Sequence, residues 1–431
     1  MLMPLPPGLL ELKVPVPINI WNSDGKVLLL RRGEVLTSDQ QLQLTLTRSP
    51  TVHIRDYRVW KTAYSAKIDT LMRQESSLKR IAEVKPPTDL KALDVIEDGP
   101  TGAWSDNPLE GWHELHRAMT QLLHRPTERA AFIERVEDVE EHLLRLLHTR
   151  PDDSLLVLVQ LISERRSPAA RHSYSAAHAL IAAVLCDLVA TAANMGGPEL
   201  TSLRRAALTM NIGMAPLQDQ LTQHVGPLTE EHKQAIHQHP ITGAELLRQL
   251  GVHDAEWLRL VQEHHENASG FGYPLGKPVQ DMAHSILKAA DVFVARISPR
   301  VSRRGLLPHM VARDVYLGPD GKPTAFGALF VKQLGMYLPG SYVRLATGEV
   351  AIVVRRGRRA NTPWTYAIVN AKGLPLGQPS LRDTHDPACE AKGSVAVDEV
   401  KVRVNLEQLL AKCQDLDRNL RLAGQSTPTA Q

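Results

Sequence analysis

The sequence predicts a mainly α-helical protein with a small β-rich module at each end. Residues 112–301 are helical in pattern almost throughout, and segments such as 136–147, 154–164 and 174–194 are separated by short breaks that contain Pro or Gly. At both ends, apolar runs rich in β-branched residues alternate with turn residues, which is the pattern of short strands. We therefore expect a central helical domain flanked by β structure.

In the N-terminal module, residues 14–21 and 26–30 are expected to form strands that are joined by the turn residues Asn22-Ser23-Asp24-Gly25. Either Thr37 or Ser38 is expected to cap a short helix over residues 39–46. A loose amphipathic stripe then predicts a helix over residues 61–83.

After that helix, residues 85–108 contain scattered Pro, Gly, Asp and Ser and are expected to be a linker. The C-terminal part should contain strands near 341–345, 350–355 and 366–369, followed by a last helix over 405–422. These patterns divide the chain into a β module, a helix with a Pro-rich linker, a helical domain, and a β appendage with a helix: 1–60, 61–111, 112–335 and 336–431.

Composition excludes several classes of protein. Lys and Arg number 50 against 47 Asp and Glu, and aromatic residues make up only 4%, so no basic or base-stacking surface for nucleic acid is indicated. The cysteines Cys186, Cys389 and Cys413 are too widely spaced for a disulfide framework or a CxxC metal site. No signal peptide and no run of about 18 uninterrupted apolar residues is evident, so we expect a cytoplasmic protein that is not in a membrane.

The most informative segment of the chain is His264-His265-Glu266-Asn267-Ala268-Ser269-Gly270-Phe271-Gly272-Tyr273-Pro274. Two adjacent histidines are about 100° apart on an ideal helix and cannot share one face. At the end of a helix, however, both rings can reach a common point. The glycines that follow allow backbone to come close to whatever those rings hold.

This segment resembles the signature H-H-E-x-x-D-G-x-G-Y-P of HD-GYP domains, and the resemblance extends over roughly residues 150–335. It implies a helical bundle of the HD superfamily that hydrolyses cyclic di-GMP with two or three metal ions, usually iron. On this resemblance, Gly272, Tyr273 and Pro274 belong to the ligand-binding loop, and His264 and His265 are metal ligands.

The other landmarks of the family can be placed one at a time. The first ligand histidine matches His178, with His172 as a rival, and the H-P-x-x-G motif is intact at His239. The last metal ligand, an aspartate, matches Asp291. The basic residues that contact phosphate match Arg300 and Arg303.

The central motif of the family, A-x-L-H-D-I-G-K, is altered. Met210, Asn211 and Met214 stand where the family has His, Asp and Lys. Asn211 is neutral and cannot bridge two cations as a carboxylate does, and the thioether of Met210 is a poor ligand for iron, manganese or zinc. Ser269 replaces the acid of the signature, and Tyr174 stands four residues before His178, where an acid is also expected.

We therefore expect one divalent metal, iron, zinc or manganese, or none. The sequence indicates a degenerate signalling protein that binds cyclic di-GMP, a related phosphorylated ligand or a protein partner with little or no hydrolysis. One alternative is an active metal-dependent phosphodiesterase with an unusual metal set, and another is an interaction scaffold without a ligand.

A second basic pattern, Arg355-Arg356-Gly357-Arg358-Arg359, has the R-x-x-x-R spacing with which PilZ domains hold cyclic di-GMP. The D/N-x-S-x-x-G partner motif of those domains is not found downstream. We therefore interpret these arginines as a charged hairpin tip.

Overall fold

The structure, a computed structural model, describes residues 2–6, 9–10, 12–23, 28–30, 33–53, 57, 60, 104–126, 132–163, 173–301, 304–317 and 321–422. The chain divides into two compact units, Met1–Thr101 and Gly102–Gln431. The predicted helix over 61–83 lies outside the described residues, and so does nearly all of the predicted linker. The predicted division into four parts stays a prediction.

The first unit contains a small antiparallel sheet in the order β1-β4-β2-β3. Its elements are β1 Leu2–Pro4, β2 Ile20–Trp21, β3 Leu28–Leu30, α1 Asp39–Thr47 and β4 Thr51–His53. The predicted pairing of the second and third strands is confirmed, and α1 is capped as expected by Ser38, which accepts a hydrogen bond from the backbone N–H of Gln41. A core that includes Ile18, Ile20 and Val52 holds this unit together.

The second unit begins with the expected run of helices. They are α2 Pro108–His124, α3 Phe132–Thr149, α4 Pro151–Ser163, α5 Tyr174–Ala192, α6 Gly197–Thr209, α7 Ala215–Gln223, α8 Glu230–Gln249, α9 Ala255–Glu263, α10 Met282–Ile297, α11 Pro308–Tyr316 and α12 Ala325–Leu334. The predicted mainly α-helical fold is confirmed.

Helix α5 is the centre of this unit. It packs against α2, α4, α6, α7, α10 and α12, and every residue from Tyr174 to Ala190 is buried. It is apolar on all faces, which suits a helix that is surrounded by others. An 18-residue window of this helix has a mean hydropathy of 1.7, which is apolar enough to cross a membrane, but 89% of that window is buried within the protein.

The C-terminal part forms a five-stranded antiparallel sheet in the order β8-β7-β6-β5-β9, followed by a helix. These elements are β5 Tyr342–Leu345, β6 Val350–Arg355, β7 Trp364–Val369, β8 Pro375–Asp383, β9 Ala391–Val395 and α13 Leu406–Leu422. Strands β5, β6 and β7 and helix α13 were predicted. The sequence analysis missed β8 and β9, because these edge strands are polar, partly exposed and interrupted by Gly or Pro.

The interpretation of the R-x-x-x-R run as a charged hairpin tip is wrong for its first two arginines, because both are buried. Arg355 pairs with Asp153 at 2.7 Å and holds Asp417 through two hydrogen bonds of 2.8 and 2.7 Å. Arg356 contacts Asp152 at 2.5 Å. These ion pairs fasten β6 to the start of α4 and to α13.

Removing one partner from such a buried group should be costly. We expect Arg355→Met to lower the free energy of unfolding by about 3–5 kcal/mol, because the buried Asp153 loses its close cation, with Arg150 left at 3.7 Å, and Asp417 loses two hydrogen bonds. The exposed Arg359 is a matched control, and Arg359→Met should change stability by no more than about 0.5 kcal/mol. Urea unfolding checks both, and equal stabilities of the two variants would contradict the structural role of Arg355.

Candidate metal centre

Three histidines from two helices meet at one point. His239 lies in the middle of α8, His264 is the C-terminal cap of α9, and His265 follows it. One ring nitrogen of each lies within 4.8 Å of the corresponding nitrogens of the other two. Because α9 ends at Glu263, the two adjacent rings leave the helix spacing and both turn inward, as the sequence predicts.

The hydrogen bonds of two of these rings set their ligand atoms. His239 Nδ1 donates to the carbonyl oxygen of Ile236 at 2.6 Å, and His264 Nδ1 donates to that of Val261 at 2.7 Å. This pattern leaves a lone pair on each Nε2 and places the two Nε2 atoms 3.1 Å apart. Two acceptors at that distance repel each other, whereas nitrogens that share one ion through bonds of about 2.0–2.1 Å lie roughly 3 Å apart.

The surroundings keep these imidazoles uncharged. Burial, together with repulsion from His265, lowers the pKa of His239 to about 4. Burial and the neighbouring rings lower the pKa of His264 well below its usual range, and burial also lowers the pKa of His265. Neutral imidazole is the form that binds a metal ion, so the three residues are ready ligands at neutral pH.

The altered central motif lies beside this cluster. A Cβ atom on Gly213 would be 2.5 Å from the carbonyl oxygen of His239, so the loop that carries Asn211 can lie against α8 only because this residue is glycine. The side-chain oxygen of Asn211 is buried and has no hydrogen-bond partner among the described residues. An orphaned carbonyl oxygen is a weak but available metal ligand, so the donor set fits one divalent ion.

The two methionines of the altered motif have different surroundings. Met210 is only 1% exposed and is part of the hydrophobic core of the second unit. Met214 is partly exposed and precedes α7. Neither replaces the imidazole or the cation that the family pattern has at its position.

The other predicted ligands form a second group next to the first. His178 Nε2 is 2.9 Å from Asp291 Oδ1, and His178 Nδ1 is 3.1 Å from the hydroxyl of Tyr174. The hydrogen bond with His178 holds the pKa of Asp291 well below its ordinary value, although burial acts in the opposite direction. Both nitrogens of His178 therefore have partners within the protein. Asp291 Oδ2 is 4.0 Å from His265 Nδ1, which connects the two groups.

The Gly-Tyr-Pro loop is anchored by Glu266, a residue to which the sequence analysis assigned no role. Its buried carboxylate accepts hydrogen bonds of 2.6–3.2 Å from the backbone N–H groups of Leu275, Gly276 and Lys277. A Cβ on Gly272 would be 2.6 Å from the carbonyl oxygen of His265, so the loop also needs glycine at this point. The signal available in the sequence was the match of Glu266 to the Glu of the H-H-E-x-x-D-G-x-G-Y-P signature.

Tyr273 lies between two imidazole rings. Its ring stacks on His265, with centroids 4.4 Å apart, and on the exposed His237, at 5.0 Å. Pro274, the next residue, is partly buried. Tyr273 therefore covers one side of the histidine cluster.

Arg300 lies close to the second group. Burial raises the pKa of Tyr174, and the positive charge of Arg300 opposes that rise. Its Nε atom is buried without a partner among the described residues. Arg303 and the rival ligand His172 lie outside the described residues.

Comparison with known proteins identifies an HD-type domain in this chain. Residues 157–310 match the family model described as HD domain. Over 234 residues the chain is 26% identical to the cyclic di-GMP phosphodiesterase PA4108 of Pseudomonas aeruginosa, a match that covers 53% of this chain and 55% of that protein. Over 260 residues it is 25% identical to the 3'3'-cGAMP-specific phosphodiesterase 3 of Vibrio cholerae, covering 57% and 52%. The chain thus matches about half the length of these curated relatives.

A solved structure is also similar: Bd1817, a HDG"Y"P protein from Bdellovibrio bacteriovorus. It is 14% identical, with a TM-score of 0.42, and the match covers 77% of this chain and 98% of that one.

The cluster predicts which histidine controls metal content. We expect His239→Ala to remove bound metal, since only two of the three imidazoles remain. The matched control is His237→Ala, two residues earlier on α8, which contacts Tyr273 but is not in the cluster. Elemental analysis of the purified variants decides, and a His239→Ala protein that keeps its full metal content would contradict the ligand assignment.

Proposed function

Because the chain is an HD-GYP domain protein, we propose that it binds a cyclic dinucleotide or a related phosphorylated ligand at a single-metal site, with little or no hydrolysis. The protein has an HD-type, phosphodiesterase-like domain, and its curated relatives are named for cyclic di-GMP and 3'3'-cGAMP. Their shared ligand chemistry supports a cyclic dinucleotide for this chain.

The observation that carries the proposal is the asymmetry of the site. His239, His264 and His265 form a compact set of neutral nitrogen donors, whereas His178 and Asp291 are bonded to each other. Asn211 stands where the central motif of the family has Asp, and its neutral amide cannot offset the repulsion between two cations.

Each part of the site then has a separate role. A bound metal would polarise a phosphoryl oxygen of the ligand. The positive charge of Arg300 lies near the second group, where it would attract a phosphate, and Tyr273 keeps solvent from one side of His265. Hydrolysis by two metals would need a second cation, so that the pair stabilises both the attacking and the leaving oxygen. This site has no bridging carboxylate to hold such a cation, so ligand binding is favoured over hydrolysis.

Location is part of the same proposal. The three cysteines, Cys186, Cys389 and Cys413, are free thiols, which supports a reducing compartment such as the cytoplasm.

The loop around Phe271 also offers a surface for a signalling protein partner, since that side chain is 90% exposed next to the site.

The first test is turnover. We expect the metal-loaded protein to hydrolyse cyclic di-GMP at least about a thousandfold more slowly than an ordinary enzyme, whose kcat is about 1–1000 per second. Product formation is followed by chromatography beside calorimetric binding. Hydrolysis at an ordinary rate that is lost in His265→Ala or Asp291→Asn would instead support the active phosphodiesterase. Absence of binding would support the scaffold.

The second test restores the central motif. Asn211→Asp places an unpaired carboxylate in a buried site, so it should lower the Tm in chelator and increase the gain in Tm on adding Mn²⁺. Met210→His together with Asn211→Asp should raise metal content toward two per chain. The exposed Asn361→Asp is the control and should change neither quantity. Unchanged metal content in the double variant would show that this loop does not occupy the metal centre.

A further inference from the structure

Lys288 is a partly exposed cation beside the histidine cluster that no part of the HD-GYP motif accounts for. It lies on α10 three residues before Asp291, so the two side chains lie on the same face of the helix. Its ammonium group donates a hydrogen bond to the backbone carbonyl oxygen of Glu266, the residue after His265. Lys288 is therefore held against the residue that follows the histidine pair.

The charge of Lys288 is not neutralised by an ion pair. Among the described residues, no carboxylate oxygen lies within 4 Å of it, whereas the nearby Lys277 is bonded to Glu263. Its one direct partner is a neutral carbonyl, which leaves two of its three N–H donors free.

The field of this ammonium reaches the candidate metal ligands. After burial, the charges of Asp291 and Lys288 have the largest effects on the pKa of His265, in opposite directions. Asp291 and Glu266 in turn act on the pKa of Lys288, which burial lowers. The group therefore lies within electrostatic range of any anion that approaches His265.

The remaining charges explain why an anion would need it. The three imidazoles are neutral, and the carboxyl groups of Asp291 and Glu266 are both buried. Met214 brings no charge to the position at which the motif carries a lysine. A phosphodiester close to Asp291 would be repelled by its carboxylate, and the charge of Lys288 would add to those of Arg300 and a bound metal in offsetting that repulsion.

We propose that Lys288 binds a non-bridging phosphoryl oxygen of the ligand through its two free N–H donors. It thereby supplies from α10 a cation that the altered central motif lacks. The inference rests on the proposed binding of a phosphorylated ligand and adds a residue that determines its affinity. A purely structural role, support of the Glu266 carbonyl, predicts a different set of results.

The test uses the full chain loaded with metal and three variants. Lys288→Met keeps the apolar stem without the charge, Lys288→Arg keeps the charge, and Lys277→Met is the control on the adjacent loop. Calorimetry gives the Kd for cyclic di-GMP at 50 and 200 mM salt, and elemental analysis and Tm are measured in parallel.

We expect Lys288→Met to raise the Kd about tenfold or more and to weaken its salt dependence, because one charge-assisted contact is lost. Lys288→Arg should stay within about threefold of the wild-type protein, and Lys277→Met within about twofold. Metal content should be unchanged in all three. The proposal is overturned if Lys288→Met binds with wild-type affinity, or if its loss of affinity is matched by loss of metal.

Failure of the proposed function gives a different result. If the wild-type protein does not bind cyclic di-GMP, that function is wrong, and Lys288 is then tested with inorganic phosphate alone. A gain in Tm with phosphate that disappears in Lys288→Met but persists in Lys277→Met supports the anion site. Equal gains in both variants overturn it.

Discussion

The structure of this site depends on keeping three imidazoles uncharged and close together inside the protein. Neutral nitrogen donors that face one another repel, and burial makes protonation costly, so nothing within the cluster itself holds it together. The surrounding backbone does so instead. Carbonyl oxygens one turn earlier fix His239 and His264, and Glu266 holds the following loop over His265. The protein thus maintains an arrangement that a cation would stabilise.

Two glycines allow the parts of the site to approach one another. Gly213 lets the altered motif lie on α8, and Gly272 lets the Gly-Tyr-Pro loop fold back on His265. Both contacts are between backbones, so no side chain at these positions could be accommodated by a change of rotamer. These two backbone contacts hold the central motif and the Gly-Tyr-Pro loop in place around the histidines. They do not depend on the side chains of Met210 and Asn211, which stand where the family pattern has its central pair.

The second group is linked by hydrogen bonds among its own side chains. Tyr174, His178 and Asp291 satisfy one another's hydrogen bonds in a buried place. At the C-terminal sheet, too, buried polar groups pair with one another, because Arg355 and Arg356 form ion pairs with carboxylates of α4 and α13.

The sequence by itself determined the mainly α fold, three of the C-terminal strands and the motif residues of the site, because periodicity and motif spacing are local properties of the chain. It also has Met210 and Asn211 where the resemblance predicts a His-Asp pair. Tertiary structure alone decided that Arg355 is buried, that β8 and β9 pair at the sheet edges, and that Lys288 faces the histidine cluster. Each of these depends on a partner far away in the sequence, such as Asp417 for Arg355 or Glu266 for Lys288. No local pattern encodes which distant group a side chain will meet.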